Sequence, residues 1–139
     1  MTEHEFTREW GRMLTQVGCY VYPLVAGKMQ PAGFPDRYVV GPGIPGLWIE
    51  AKRGKGKLRE IQKVWHERAL KAGVPVLILR DLGSKTSFEV WDYRNKQYQR
   101  LLWDFVQDGK HLRLCIQQAV RRMIEHGFSS HARKWESRD

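Results

Sequence analysis

Apolar residues recur along the chain at helical and at strand-like spacings, and each spacing predicts an element. Phe6, Trp10, Met13, Leu14 and Val17 form one stripe of a helix over residues 2–17, with Gly18 as its stop. Cys19–Leu24 is dense in Tyr and Val and predicts a strand. A Gly- and Pro-bearing stretch, Gly27–Pro35, leads to a second strand at Arg37–Val40. Gly41–Gly46 reads as a turn and Leu47–Lys52 as the returning strand, so the unit is a hairpin. After a basic loop, Arg53–Lys57, a helix over Leu58–Ala72 closes at Gly73. Its buried stripe is assigned to Leu58, Ile61, Trp65, Ala69 and Ala72. Val74–Leu79 is nearly unbroken in apolar residues, the pattern of a strand covered on both faces, and Phe88–Tyr93 predicts one more strand. The remainder is expected to be helical, with a short apolar patch at Leu101, Leu102, Phe105 and Val106. A longer stripe follows at Leu112, Cys115, Ile116, Ala119, Val120, Met123 and Ile124. The polar tail beyond Phe128 is expected to fray.

This order predicts an α/β fold, a mixed sheet flanked by helices with extra helices at the C-terminus. Residues 1–93 are expected to form the core. Residues 94–139 are expected to be a helical extension, packed on that core or forming a dimer seam.

Charge narrows the choice of partner. Among 139 residues, 24 Lys and Arg face 15 Asp and Glu, a formal net charge of +9. Such a surplus attracts polyanions or anionic membranes. No apolar run approaches a membrane span and the N-terminus has no signal-peptide core, so nucleic acid is the expected polyanion. Cys19 and Cys115 stand apart with no metal or disulfide spacing, which points to a reducing, cytoplasmic setting.

The chemistry gathers on the hairpin. Glu50 and Lys52 are two apart on a strand and share a face with Trp48. A hairpin folded at 41–46 brings Asp36 level with them. Two carboxylates and a backbone carbonyl make an oxygen-rich site suited to Mg²⁺ or Mn²⁺. Such an ion can polarise a phosphodiester, and a lysine beside it can orient water or neutralise developing charge. Alone, an acid-x-Lys triplet reads equally well as a surface ion pair. Gln62 adds weight, because it lies at the inner edge of the helix stripe and an inward amide needs a partner.

Taken in order, Gly33-Phe34-Pro35-Asp36-Arg37, Trp48-Ile49-Glu50-Ala51-Lys52 and Gly56-Lys57-Leu58-Arg59-Glu60-Ile61-Gln62 resemble the PD-(D/E)xK nuclease superfamily. Within it they resemble the virus-type replication-repair nucleases, VRR-NUC. The similarity runs on through Glu67-Arg68 and Ala72-Gly73 to Val74–Leu79, covering roughly residues 3 to 81. It implies a restriction-endonuclease-like core and a metal-dependent DNA endonuclease of phage or bacterial replication and repair. In that pattern Asp36 and Glu50 are metal ligands, the Ala51 carbonyl completes the shell, Lys52 is the catalytic lysine and Gln62 accompanies them. The family also carries a glutamate on the first helix. Glu3 is favoured by a narrow margin and Glu9 stays open, since either can equally be an acid placed by the helix dipole.

Arg53, Lys55, Lys57 and Arg59 follow Lys52 in a glycine-bearing loop suited to a phosphate backbone, with Arg37 and Arg80 as additions. The same loop could be merely solvated. Arg121, Arg122, Arg133 and Lys134 are weaker extensions. Backbone contacts carry no base code, so the shape of the DNA, branched or joined, is expected to be what is recognised. His66 and His126 are expected at the surface of their helices, and His4 and His111 carry no metal spacing. Trp91 and Trp103 are assigned to the core or to packing ahead of base stacking, and Trp135 in the tail stays open. Two other readings compete with the nuclease. One is a catalytically silent DNA-binding module. The other is a nuclease subunit of a larger assembly, such as a homodimer that cuts both strands of a junction.

Overall fold

A parallel strand pair needs a crossover long enough to carry the chain back, and here a helix supplies it. The computed structural model describes residues 1–23 and 33–128. In order these form α1 (Glu3–Gln16), β1 (Tyr20–Pro23), β2 (Arg37–Gly41), β3 (Ile44–Arg53), α2 (Glu60–Lys71), β4 (Val76–Asp81), β5 (Thr86–Asp92), β6 (Gln97–Asp104) and α3 (Gly109–Glu125). One sheet runs β1-β2-β3-β4-β5-β6. Only β3–β4 is parallel, with α2 as its crossover, so the sheet is mixed and the fold is α/β. Leu24, most of Gly27–Pro35 and the tail with Arg133, Lys134 and Trp135 lie outside the described residues.

Alternation along the strands divides the sheet into two unlike faces. Leu47, Ile49, Ala51, Leu77, Leu79, Phe88 and Val90 point one way and pack with Phe6, Trp10 and Leu14 of α1 and Leu112, Ile116 and Met123 of α3. Trp48, Glu50, Lys52, Ile78, Arg80, Glu89 and Trp91 take the opposite positions, the face on which α2 lies. The helix α1 begins in a capping box: Glu5 N–H donates to Thr2 Oγ1 at 3.1 Å, and Thr2 N–H donates to Glu5 Oε2 at 2.8 Å. In α3, His111 N–H donates to the Asp108 carboxylate at 2.8 Å.

The structure corrects the expectation for the C-terminal third. Residues 97–104 are not helical but form β6, paired along its length with β5 across the boundary expected at residue 93. The cause is a bulge. Phe88 pairs with Leu102 and Glu89 with Arg100, so Leu101 has no opposite number. Leu101 and Leu102 then stand side by side as apolar neighbours, and the alternation that announces a strand is lost. The α3 stripe proposed as a dimer seam is buried within the chain: Leu112, Cys115, Ile116, Ala119 and Met123 all belong to the main core. If α3 is a core element, Ile116→Ala should destabilise the protein by about 2–5 kcal/mol in urea unfolding, independent of protein concentration. A loss below about 1 kcal/mol would show that this face is not a core contact.

Candidate functional site

The site is assembled where β2 begins and β3 nears its end. Arg37 pairs with Ile49, so Asp36 stands one position beyond the ladder, beside Glu50. No β2 carbonyl reaches the next β3 amide, and the Asp36 side chain takes its place: Ala51 N–H donates to Asp36 Oδ2 at 2.7 Å. The approach of this segment depends on Gly33. A Cβ there would stand 2.7 Å from the Ile61 carbonyl oxygen, and its φ of +94° is one that side chains disfavour. Phe34 then packs against Trp48 and Trp65, at ring-centre distances of 5.5 and 5.1 Å, and pins the segment to α2.

Gln62 joins the two sides of the site. Its Nε2 donates to Glu50 Oε1 at 3.0 Å. Its Oε1 accepts from Lys52 Nζ at 3.4 Å and from Arg59 N–H at 2.8 Å. The last contact is half of a capping box; an arginine at the N-cap has no acceptor to complete it. The structure thus brings Asp36, Glu50, Ala51, Lys52 and Gln62 together.

The stripe assigned to α2 is rotated from expectation. Its buried residues are Gln62, His66, Ala69 and Leu70, whereas Ile61 is exposed. The sheet face beneath the start of α2 carries Glu50 and Lys52, so the helix turns polar groups inward to meet them. His66, expected at the surface, is fully buried with neither ring nitrogen hydrogen-bonded. Burial and the Lys52 ammonium hold its imidazole down at about 3, so it is neutral. Its spacing of four from Gln62 was the available signal, since the two must share a helix face.

Glu50 is only 1% exposed. Burial, then the Asp36 carboxylate beside it and more weakly Glu3, push its carboxyl up to about 10, against the pull of Lys52. Of the first-helix acids, Glu3 adds the smallest of these contributions. Glu9 lines two surface depressions, one with Arg8, Arg12 and Arg37 and the other with Arg53 and Asp81.

The basic residues separate by face. Arg37 pairs with Ile49 and its side chain lines that same depression, away from Lys52. Arg53 pairs with Asp81 at 3.2 Å and lines a pocket with Phe6 and Trp10 of α1. Lys55 and Lys57 line a groove on the α2 face, and Arg59 precedes α2, exposed. Arg80 is not a surface residue. It is 7% exposed, its Nε donates to Glu89 Oε1 at 3.0 Å, and its Nη1 donates to the carbonyls of Gly54 at 2.9 Å and Gly56 at 2.6 Å. It clamps the basic loop from beneath.

One other cluster of ligand-type side chains occurs among the described residues, Asp104, His111 and Cys115. Gln107 N–H donates to His111 Nδ1 at 3.2 Å, so the ring proton sits on Nε2, 3.2 Å from Asp104 Oδ2. Both nitrogens are thereby engaged, and burial pushes the Cys115 thiol up to about 11. The arrangement is a His111–Asp104 hydrogen bond beside a thiol that burial keeps protonated.

Comparison with protein-family models, curated proteins and solved structures finds no match to the chain.

The repulsion at Glu50 has a measurable sign. Its folded value, about 10, lies above the ordinary carboxylate range, so the folded state binds the extra proton between about pH 4.5 and 10 and loses stability as pH rises through that window. Glu50→Gln keeps the bond to Gln62 and removes the proton requirement. In metal-free buffer it should raise the thermal midpoint at pH 8 and leave it nearly unchanged at pH 4; equal midpoints at pH 8 would refute the raised value at Glu50.

Proposed function

We propose that the chain is a divalent-metal-dependent DNA endonuclease with a restriction-endonuclease-like core, as its resemblance to VRR-NUC proteins implies. The observation that carries this reading is geometric: the buried Glu50 stands beside the Asp36 carboxylate, with Lys52 one amide away through Gln62. A cation placed there would convert the repulsion into ligation.

The residues present suit such an ion. Asp36, Glu50 and Glu3 offer hard oxygen donors, the kind that Mg²⁺ and Mn²⁺ take. Ala51 N–H points at Asp36, and in a strand the carbonyl of a residue faces the same edge as its amide, so the Ala51 oxygen is directed to the Asp36 side. When bound, the ion would polarise a phosphodiester and acidify a water. The chain's own groups would do the rest. Gln62 fixes the Glu50 carboxylate, and the Lys52 ammonium neutralises charge developing on the phosphate. Lys55 and Lys57 would hold the backbone nearby, which favours recognition of branched or junction shape over base sequence.

No described helix is long and apolar enough to cross a membrane, and Cys19 and Cys115 are both free thiols. These agree with action in the cytoplasm of a bacterial cell or phage-infected host. A larger assembly remains compatible with this chemistry, though a homodimer would need a surface other than the buried stripe of α3.

The test is cleavage of linear, flapped, nicked and four-way DNA with Mg²⁺ or Mn²⁺. Asp36→Asn, Glu50→Gln and Lys52→Met should each lower cleavage by about a hundredfold or more, with DNA binding in EDTA kept. Undiminished metal-dependent cleavage in all three would overturn the proposal. Failure of the wild type to bind either metal by calorimetry would favour the silent DNA-binding module.

A further inference from the structure

Two rows of side chains cross the α2 face at right angles to the strands. One runs Lys52, Arg80, Ser87, Trp103 from β3 to β6, and the other runs Glu50, Ile78, Glu89, Arg100. The helix α2 covers the second row at Ile78 and the neighbouring Trp91, whereas the far end of both rows is open to solvent. That open end is a groove of about 510 Å³ bounded by the Lys55 and Lys57 loop on one side and β6 on the other.

Its floor is fixed and internally satisfied. Glu89 accepts from Arg80 at 3.0 Å and from Ser87 Oγ at 2.6 Å, and Arg100 Nε donates to Ser87 Oγ at 3.0 Å. The one carboxylate in the lining is thus spent on Arg80, leaving the charge of Lys55, Lys57 and Arg100 uncompensated. Beside the groove, at the end of β6, stand two aromatic side chains that do not line it. Trp103 is 45% exposed and Phe105 50%, and the Lys85 ammonium sits 3.6 and 5.0 Å from their ring centres. Trp103 was expected to pack in the core, and it does not. Lys85 covers one face of the Trp103 ring, and the rest of the indole is left in water beside the cations of the groove.

We propose that this groove binds single-stranded DNA, leading it from β6 toward Lys52. The charge complements a phosphate backbone, and an unpaired base can stack on the Trp103 face that Lys85 leaves open, with the Lys85 ammonium beside it for a phosphate. Paired bases are already stacked on one another, which excludes duplex as the ligand of these rings. Trp103 lies three strand spacings from Lys52, about 14 Å, within reach of a strand whose backbone enters the site. The direction of travel rests on the nuclease reading above; the binding does not.

Fluorescence anisotropy of labelled dT15, in EDTA with the full chain, tests the groove apart from catalysis. Trp103→Ala should weaken dT15 by about fivefold or more and leave a blunt 15-base-pair duplex unaffected, while Trp103→Phe should restore most of the loss. Lys55→Ser with Lys57→Ser should weaken dT15 and flatten its salt dependence. Circular dichroism checks that each variant is folded. Unaltered dT15 affinity in folded Trp103→Ala, or an equal loss on duplex, overturns the groove even if the wild type cleaves DNA. Trp103-dependent dT15 binding in a protein that cleaves nothing would uphold the groove and sink the nuclease.

Discussion

The junction between β3 and α2 rests on a single amide. Gln62 holds the Glu50 carboxyl with its nitrogen and the Lys52 ammonium with its oxygen, and that oxygen also closes the first turn of its own helix. Glu50 and Lys52 are both buried, and neither would tolerate that position without polar contacts. The facing of α2 follows from this demand. Gln62 turns inward, His66 turns inward one turn later, and Ile61 is left in water. On the other face of the same strands, α1 and α3 enclose an ordinary apolar core. Stability therefore comes chiefly from one side of the sheet, which leaves the other free to hold groups that repel one another.

Much of this was legible from spacing. The α1 stripe, the β2–β3 hairpin and the apolar run of β4 each repeat a period over enough residues to leave little choice. The meeting of Asp36 with Glu50 followed from hairpin geometry, and the inward Gln62 from its place on the wheel. What escaped was set by partners that no local window contains. The stripe of α2 was assigned by its apolar residues, but the sheet beneath it is polar there. Arg80 resembled any basic residue at a strand end, yet the loop carbonyls and Glu89 draw it inside. Arg37 and Arg53 looked continuous with the lysines until strand parity sent them to the other face.

The basic surplus is accordingly not one patch. Of the loop's basic residues Lys55 and Lys57 share the groove with Arg100, while Arg53 is paired with Asp81. An argument from net charge would have pooled them all. Their separation matters because a phosphate backbone can follow only one surface at a time.

The bulge at Leu101 hid β6 in the sequence, and it also sets the phase of that strand. Arg100 and Trp103 are an odd number of residues apart, so in a regular strand they would point to opposite sides. The extra residue turns the second half of β6 over, and both side chains come out beside Ser87. The length of β6 therefore decides which face its second half presents. Loss of one residue there would swing the indole toward the α3 layer while leaving Asp36, Glu50, Lys52 and Gln62 in place, so what the far edge of the sheet displays can change without altering the other end.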